Sequence, residues 1–237
     1  MSEPIFYRRP VALARAVHGD LRYTPPAGFA FARAGNSVPL GAAEFEAAAR
    51  HFPIAISARE PAGAIAILGL ETGRNLFVRA DGTWLPGAYV PAYLRNYPFG
   101  LADAGERMVL CIDEAAGCLG ETGEALYDGD APSAFATRTL QFAHEFRIEA
   151  DRARAFADAC AAENLLEEKR AEIALKDGRK STLTGFRVLD RARFEALPDD
   201  TLLDWRRRGF LSLAYAHFHS MQAWGALADL AAARPHV

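Results

Sequence analysis

NLFVRADGTWLPGAYVPAYLRNYPF, residues 75–99, carries the densest run of local structural instructions in the chain, and the fold class is read outward from it. Leu76, Phe77 and Val78 read as a short strand, Asp81-Gly82 as the two positive-φ positions of a tight hairpin turn, and Trp84-Leu85 as the start of the return strand. Pro86-Gly87 breaks that strand. Pro91 sits where the first turn of a helix tolerates a missing N–H, and Pro98 closes the helix two turns later. Within it Tyr93 and Tyr97, four residues apart, share a face, while Arg95 points elsewhere.

The flanking segments extend the same grammar. Residues 1–20 read as an extended arm, ended by the Thr24-Pro25-Pro26-Ala27-Gly28 break. Phe29 and Phe31 alternate with alanines as a strand does, and residues 39–50 form an amphipathic helix with Phe45 turned inward. Ile54 and Ile56, then Ile65, Ile67 and Leu70, alternate through two more strands joined by Pro61-Ala62-Gly63. Met108 to Ile112 is a short apolar run suited to a central strand. These connections are too short for parallel crossovers, so the sheet is mostly antiparallel with a packed helix.

The pattern changes at residues 113–132, which are rich in glycine, proline and acids. Beyond them Phe135, Thr139, Phe142, Phe146, Glu149, Ala153, Phe156 and Cys160 recur at steps of four and three, drawing one stripe along a helix of about seven turns capped by Asp130 or Ser133. Asp177-Gly178 marks a second hairpin, which has the option of joining the sheet. Shorter helices start at Asp190 and after Pro198, and Gly209 ends the latter. Residues 210–233 are apolar nearly all round, as in one buried or partner-covered helix. The expected class is therefore α+β, with a β-rich half at about 21–128 and a helical half at about 129–237.

Composition narrows the function. The 237 residues are 51% hydrophobic with a mean hydropathy of -0.05, which describes a globular chain with a substantial core. A net charge of -3 provides no general field for nucleic acid. No apolar run approaches the roughly 20 residues needed to span a bilayer, and the arginine-interrupted N-terminus lacks a signal peptide's apolar core. Cys111, Cys118 and Cys160 match no zinc or redox spacing, and a reducing cytoplasm is expected.

The opening stretch, continued by VLCIDEA (109–115), resembles the bacterial SapC family, as do VPLGAAEFEAAARHFPIAI (38–56), LGLETGRNLFV (68–78), LTGFRVLDRARFEALPDD (183–200) and the region around His217 to Met221. The resemblance covers nearly the whole chain and implies one SapC-like unit over 1–237. It implies a component of a surface-layer or transport-associated system and carries no catalytic residues with it. A peptide-transporter permease that shares the name is a different protein, and this chain has no membrane span to match it.

Each chemical constellation has a structural alternative. Trp84, Tyr89, Tyr93, Arg95 and Tyr97 suit a ligand groove, since aromatic faces bind sugars or aliphatic chains and a guanidinium grips an oxyanion. The alternative is that these rings seal the short helix onto the sheet. Asp113, Glu114, Glu121, Glu124, Asp128 and Asp130 lack the ligand pattern of a calcium loop and read as a solvated acidic segment. His217 and Ser220 share a helix side but have no triad acid or nucleophile elbow, which leaves a hydrogen-bonded core histidine. Glu149 lies on the phenylalanine stripe and requires a partner, either Arg152 at the next turn or an arginine from elsewhere.

No catalytic residue, metal site or cofactor is therefore expected. The leading reading is a nonenzymatic protein- or ligand-binding component, whose partner is another protein or a second copy of itself. Leu213, Trp224 and Leu227 are the candidate partner surface. The second reading is a small-ligand sensor or enzyme that uses the groove around Tyr93 and Arg95.

Overall fold

The computed structural model describes residues 5–104, 107–174 and 180–233. Eight strands build its two main sheets: β1 (Pro10–Ala12), β2 (Ser37–Pro39), β3 (Ile54–Ser57), β4 (Ala64–Ile67), β5 (Phe99–Ala104), β6 (Arg107–Asp113), β7 (Leu166–Ala174) and β8 (Lys180–Leu189). The helices are α1 (Arg15–His18), α2 (Phe45–Ala48), α3 (Ala92–Asn96), α4 (Ala134–Ala162), α5 (Arg191–Glu195), α6 (Asp199–Arg208), α7 (Phe210–Ser220) and α8 (Ala223–Ala233). The fold is α+β.

All pairing in the two sheets is antiparallel, in the orders β7-β8-β3-β4-β2 and β1-β6-β5. Short connections dictate this arrangement. The second hairpin does join the larger sheet, so that sheet takes strands from both halves of the chain, while Asp177-Gly178 lie outside the described residues. The apolar run at 108–112 is the middle strand of the smaller sheet.

β3 lies at the centre of the larger sheet, and Ile54, Ala55 and Ile56 are all fully buried, so both of its faces are covered. Its pairing with β8 extends only over Phe186↔Ser57 and Arg187↔Ile56. Past that point the two strands require other partners for their N–H groups, because a buried unpaired amide is costly. α7 supplies them: Leu189 donates to His217 Nε2 at 3.1 Å, and Ile54 donates to Ser220 Oγ at 2.9 Å.

Four local expectations are corrected. Phe29 and Phe31 lie in and beside a 3₁₀ turn, Ala30–Ala32, because so short an alternation does not distinguish a strand from a tight turn. The 76–85 hairpin reduces to one bridge, Val78↔Trp84, and only Gly82 has positive φ, at 86°. Gly82 donates to Arg79 O and Arg79 to Thr83 O, so the loop is one residue longer than a two-residue turn. The helix at 39–50 is shorter, a 3₁₀ turn at Ala42–Glu44 running into α2.

Residues 210–233 form two helices and not one. Ser220 Oγ donates to the carbonyl of His217 at 2.6 Å, and Met221 N–H turns instead to Phe218 O. A hydroxyl that captures an i−3 carbonyl competes with the helical ladder, and here it breaks it.

The stripe on α4 is fully buried only in its C-terminal part; at 135–149 its residues are half-buried. Ser133 caps the helix, accepting from Ala136 N at 3.1 Å. Ala153, Phe156 and Cys160 are buried in the main core, where the Phe156 ring meets Phe45, Trp205 and Phe210 at 5.6–6.0 Å. The N-terminal half of α4 meets a second, smaller core formed by Tyr23, Phe99, Leu110, Ile112 and Leu126.

Candidate binding site

The feature with most chemical scope is the cleft where α4 crosses α3 and β5. α3 is short because Pro91 opens it and Tyr97-Pro98 follows it directly. The buried Glu44 carboxylate fixes its start, accepting from Ala92 N at 2.6 Å, Tyr89 OH at 3.0 Å and Gly41 N at 2.9 Å. A carboxylate on an α-helix N-terminus is favourably placed for the unpaired N–H groups there. Glu44 thereby ties the start of α3 to the segment before α2.

Two cavities flank Asn96, the last residue of α3. The larger, about 400 Å³, lies where α4 presents Ala143, Phe146 and Ala150 to β5, with Tyr7 and Tyr93 as side walls. Its existence follows from small residues on facing elements. Ala143 and Ala150 of α4 and Gly100 and Ala102 of β5 all line it, and side chains of this size leave space between a helix and a sheet. The smaller, about 300 Å³, lies between Phe135, Arg138 and Phe142 of α4 and Tyr23, Phe99 and Arg95. Both volumes fall in the range of small-molecule sites.

The N-terminal arm forms part of the larger cavity's wall. Tyr7 donates to Phe99 O at 2.5 Å, and Tyr93 OH donates to Ile5 O at 2.8 Å. Asp113, 1% exposed, clasps the arm's backbone, accepting from Arg8 N at 3.0 Å and Arg9 N at 2.8 Å; it also accepts from Ala115 N and Tyr97 OH. Burial pushes its carboxyl up, but these four donors outweigh burial and hold it below the usual aspartate value. Glu114 pairs with Arg9 at 3.1 Å and with buried His18 at 3.2 Å. The first two acids of the supposed solvated segment are thus an anchor for the arm, while Glu121, Glu124, Asp128 and Asp130 are exposed.

The five residues of the expected groove are distributed over several environments. Tyr93 lines the larger cavity and Arg95 the smaller. Tyr89 lies beside Arg95, its hydroxyl 3.4 Å from the guanidinium. Trp84 is buried and donates to Tyr89 O at 3.0 Å. Tyr97 is buried and stacks on Phe31 with centroids 3.9 Å apart. Of the partner-surface residues, Leu213 and Leu227 are buried in the main core, and Trp224 is half-buried against Phe186 at 5.6 Å.

Glu149 finds a partner that sequence spacing does not reveal. It accepts from Ala43 N at 2.8 Å, with Arg152 further away at 3.8 Å. Tyr7, Asn96 and Arg138, absent from the expected site, line the cavities. Only their position in the fold marks them.

The walls are chemically quiet. Burial holds the Tyr7 and Tyr93 phenols well above their ordinary value, lifts Tyr23 to about 12 and raises the Cys111 thiol, so all four stay protonated at neutral pH. Among the described residues no group of three or more His, Cys, Asp or Glu side chains is placed to hold a metal ion, and no helix is long and apolar enough to cross a membrane. The site's resources are apolar surface, aromatic faces, one carboxamide and guanidinium groups.

The SapC family profile matches residues 13–227. The chain belongs to the SapC family. The match includes α3, α4, β5 and β6, and hence most of the cleft in this SapC chain. No curated protein and no solved structure matches it.

Proposed function

We propose that this SapC-family chain is a nonenzymatic ligand-binding protein, whose ligand is a small, largely apolar molecule held between α4 and β5. The observation that carries the reading is the cavity of about 400 Å³ walled by Tyr7, Tyr93, Leu101, Phe146 and the small residues opposite them. Well-packed cores leave few voids larger than a water molecule, and an apolar space of this size is poorly suited to ordered water. The arm anchored at Asp113 keeps the space shaped without a ligand. Binding in the cytoplasm on behalf of a surface-layer or transport-associated system is the wider role we assign, supported by family membership and by three unpaired cysteines.

The test uses a neutral apolar dye such as Nile red with the intact protein. Saturable binding is expected, with loss of at least about tenfold in affinity in Ala150→Trp, which fills the cavity from the half-buried face of α4. An unaltered circular dichroism spectrum establishes that the variant folds. Wild-type protein that binds no dye, or a filled variant that binds equally well, would sink the reading.

A further inference from the structure

Resting on that reading, we propose that the ligand is an anionic amphiphile, with its apolar chain in the larger cavity and an oxyanion head, carboxylate or phosphate, in the smaller one between Arg95 and Arg138. Both arginines line the smaller cavity, and neither forms an ion pair with the described residues. Arg95 donates Nε to Val90 O at 3.1 Å, and its guanidinium lies 5.2 Å from the Phe142 ring centroid. Stacking on an aromatic face fixes the group's plane and leaves other N–H donors free. Glu44, the carboxylate on that side, reaches Arg95 only through the Tyr89 hydroxyl.

Arg147 supplies the internal contrast. It lines the larger cavity, but its charge is already matched by Asp151 at 3.0 Å. Of the two cavities, only the smaller is lined by arginines without an ion pair to the described residues. Asn96 is the common wall of the two spaces. It is only 8% exposed, and its carboxamide makes no hydrogen bond to the described residues and is not sealed from the cavities. A buried amide without a protein partner is a standing donor and acceptor for a bound group. Phe99 and Phe135 line the same space beside the two arginines, and a guanidinium–oxyanion pair is a charge-assisted hydrogen bond.

The experiment compares dodecanoate, dodecanol and dodecylamine by titration calorimetry on the full chain and on Arg95→Gln/Arg138→Gln. Both arginines are exposed, so the double variant is expected to melt with the wild type. Dodecanoate should bind at least about tenfold more tightly than dodecanol, with dodecylamine weakest. The double variant should bring dodecanoate down to the alcohol's affinity and leave dodecanol unchanged. Equal binding of acid and alcohol by the wild type overturns the anionic head but leaves the apolar cavity standing. Retention of the acid preference in the double variant overturns the assignment to Arg95 and Arg138. Failure of all three to bind overturns the cavity reading as well.

Discussion

At the residue scale, His217 and Asp113 are both buried polar groups, and each does structural work that sets a different pH window. Burial lowers the His217 imidazole to about 4, against 6.5 for the exposed group. Above pH 6.5 neither the folded nor the unfolded state takes up this proton, and the full stability is present. As pH falls from about 6.5 towards 4, the unfolded chain binds a proton that the folded chain refuses, removing up to about 3 kcal/mol. Urea midpoints at pH 7 and pH 5 should show this decline, and His217→Gln, which retains an acceptor for Leu189 N–H, should flatten it. Asp113 acts at lower pH. Its depressed carboxyl contributes stability that is lost only as pH falls through its folded value, below the ordinary aspartate range. Asp113→Asn removes acceptor capacity from four donors and is expected to cost about 1–3 kcal/mol. Hydrogen exchange at Arg8 and Arg9 should quicken in that variant, and unchanged protection there would refute the clasp.

At the element scale, α4 joins the two cores and supplies one wall of each cavity. Its C-terminal half is fastened by Phe156, fully buried among three other rings. Phe156→Ala is expected to destabilise the fold by about 3–5 kcal/mol, read from denaturant midpoints. Its N-terminal half is bordered by the two cavities and packs on the smaller core, with Phe146 against Tyr93. The stripe read from sequence is one continuous face, but its two ends do different jobs. Neighbouring groups decide this: Phe156 meets large rings, whereas Phe146 and the alanines beside the stripe, Ala143 and Ala150, line a cavity with Gly100 and Ala102.

At the scale of the whole molecule, the terminal helices close the main core. Apolar residues nearly all round residues 210–233 suggest a partner surface, but the break after Ser220 lets α7 and α8 bury different sides within the chain. Leu213 and Leu227 are 4% and 1% exposed, so neither is available to a partner in the folded chain. Leu227→Ala is accordingly expected to lower the stability of the chain itself by about 2–5 kcal/mol, with no change in sedimentation. A variant of wild-type stability with altered sedimentation would return Leu227 to an interface.

The α+β class, the antiparallel pairing and the long helix, with Ser133 as one of two candidate caps, were legible in the sequence, because periodicity, turn residues and capping residues act over a few positions. The Met108 to Ile112 run likewise announced a central strand, and the quoted motifs announced the family. What only the tertiary structure decided is which side chains end up opposite one another. Residue 96 is an unremarkable asparagine in YLRNY until α3 is clamped by Glu44 and α4 is laid across it. Asp113 resembles any acid after a strand until the N-terminal arm returns, more than 100 positions away in sequence, to donate its amides. The cavities themselves are differences between surfaces contributed by distant segments. No local pattern encodes such a difference, since an alanine on a helix face reads the same whether a leucine or a glycine stands across from it.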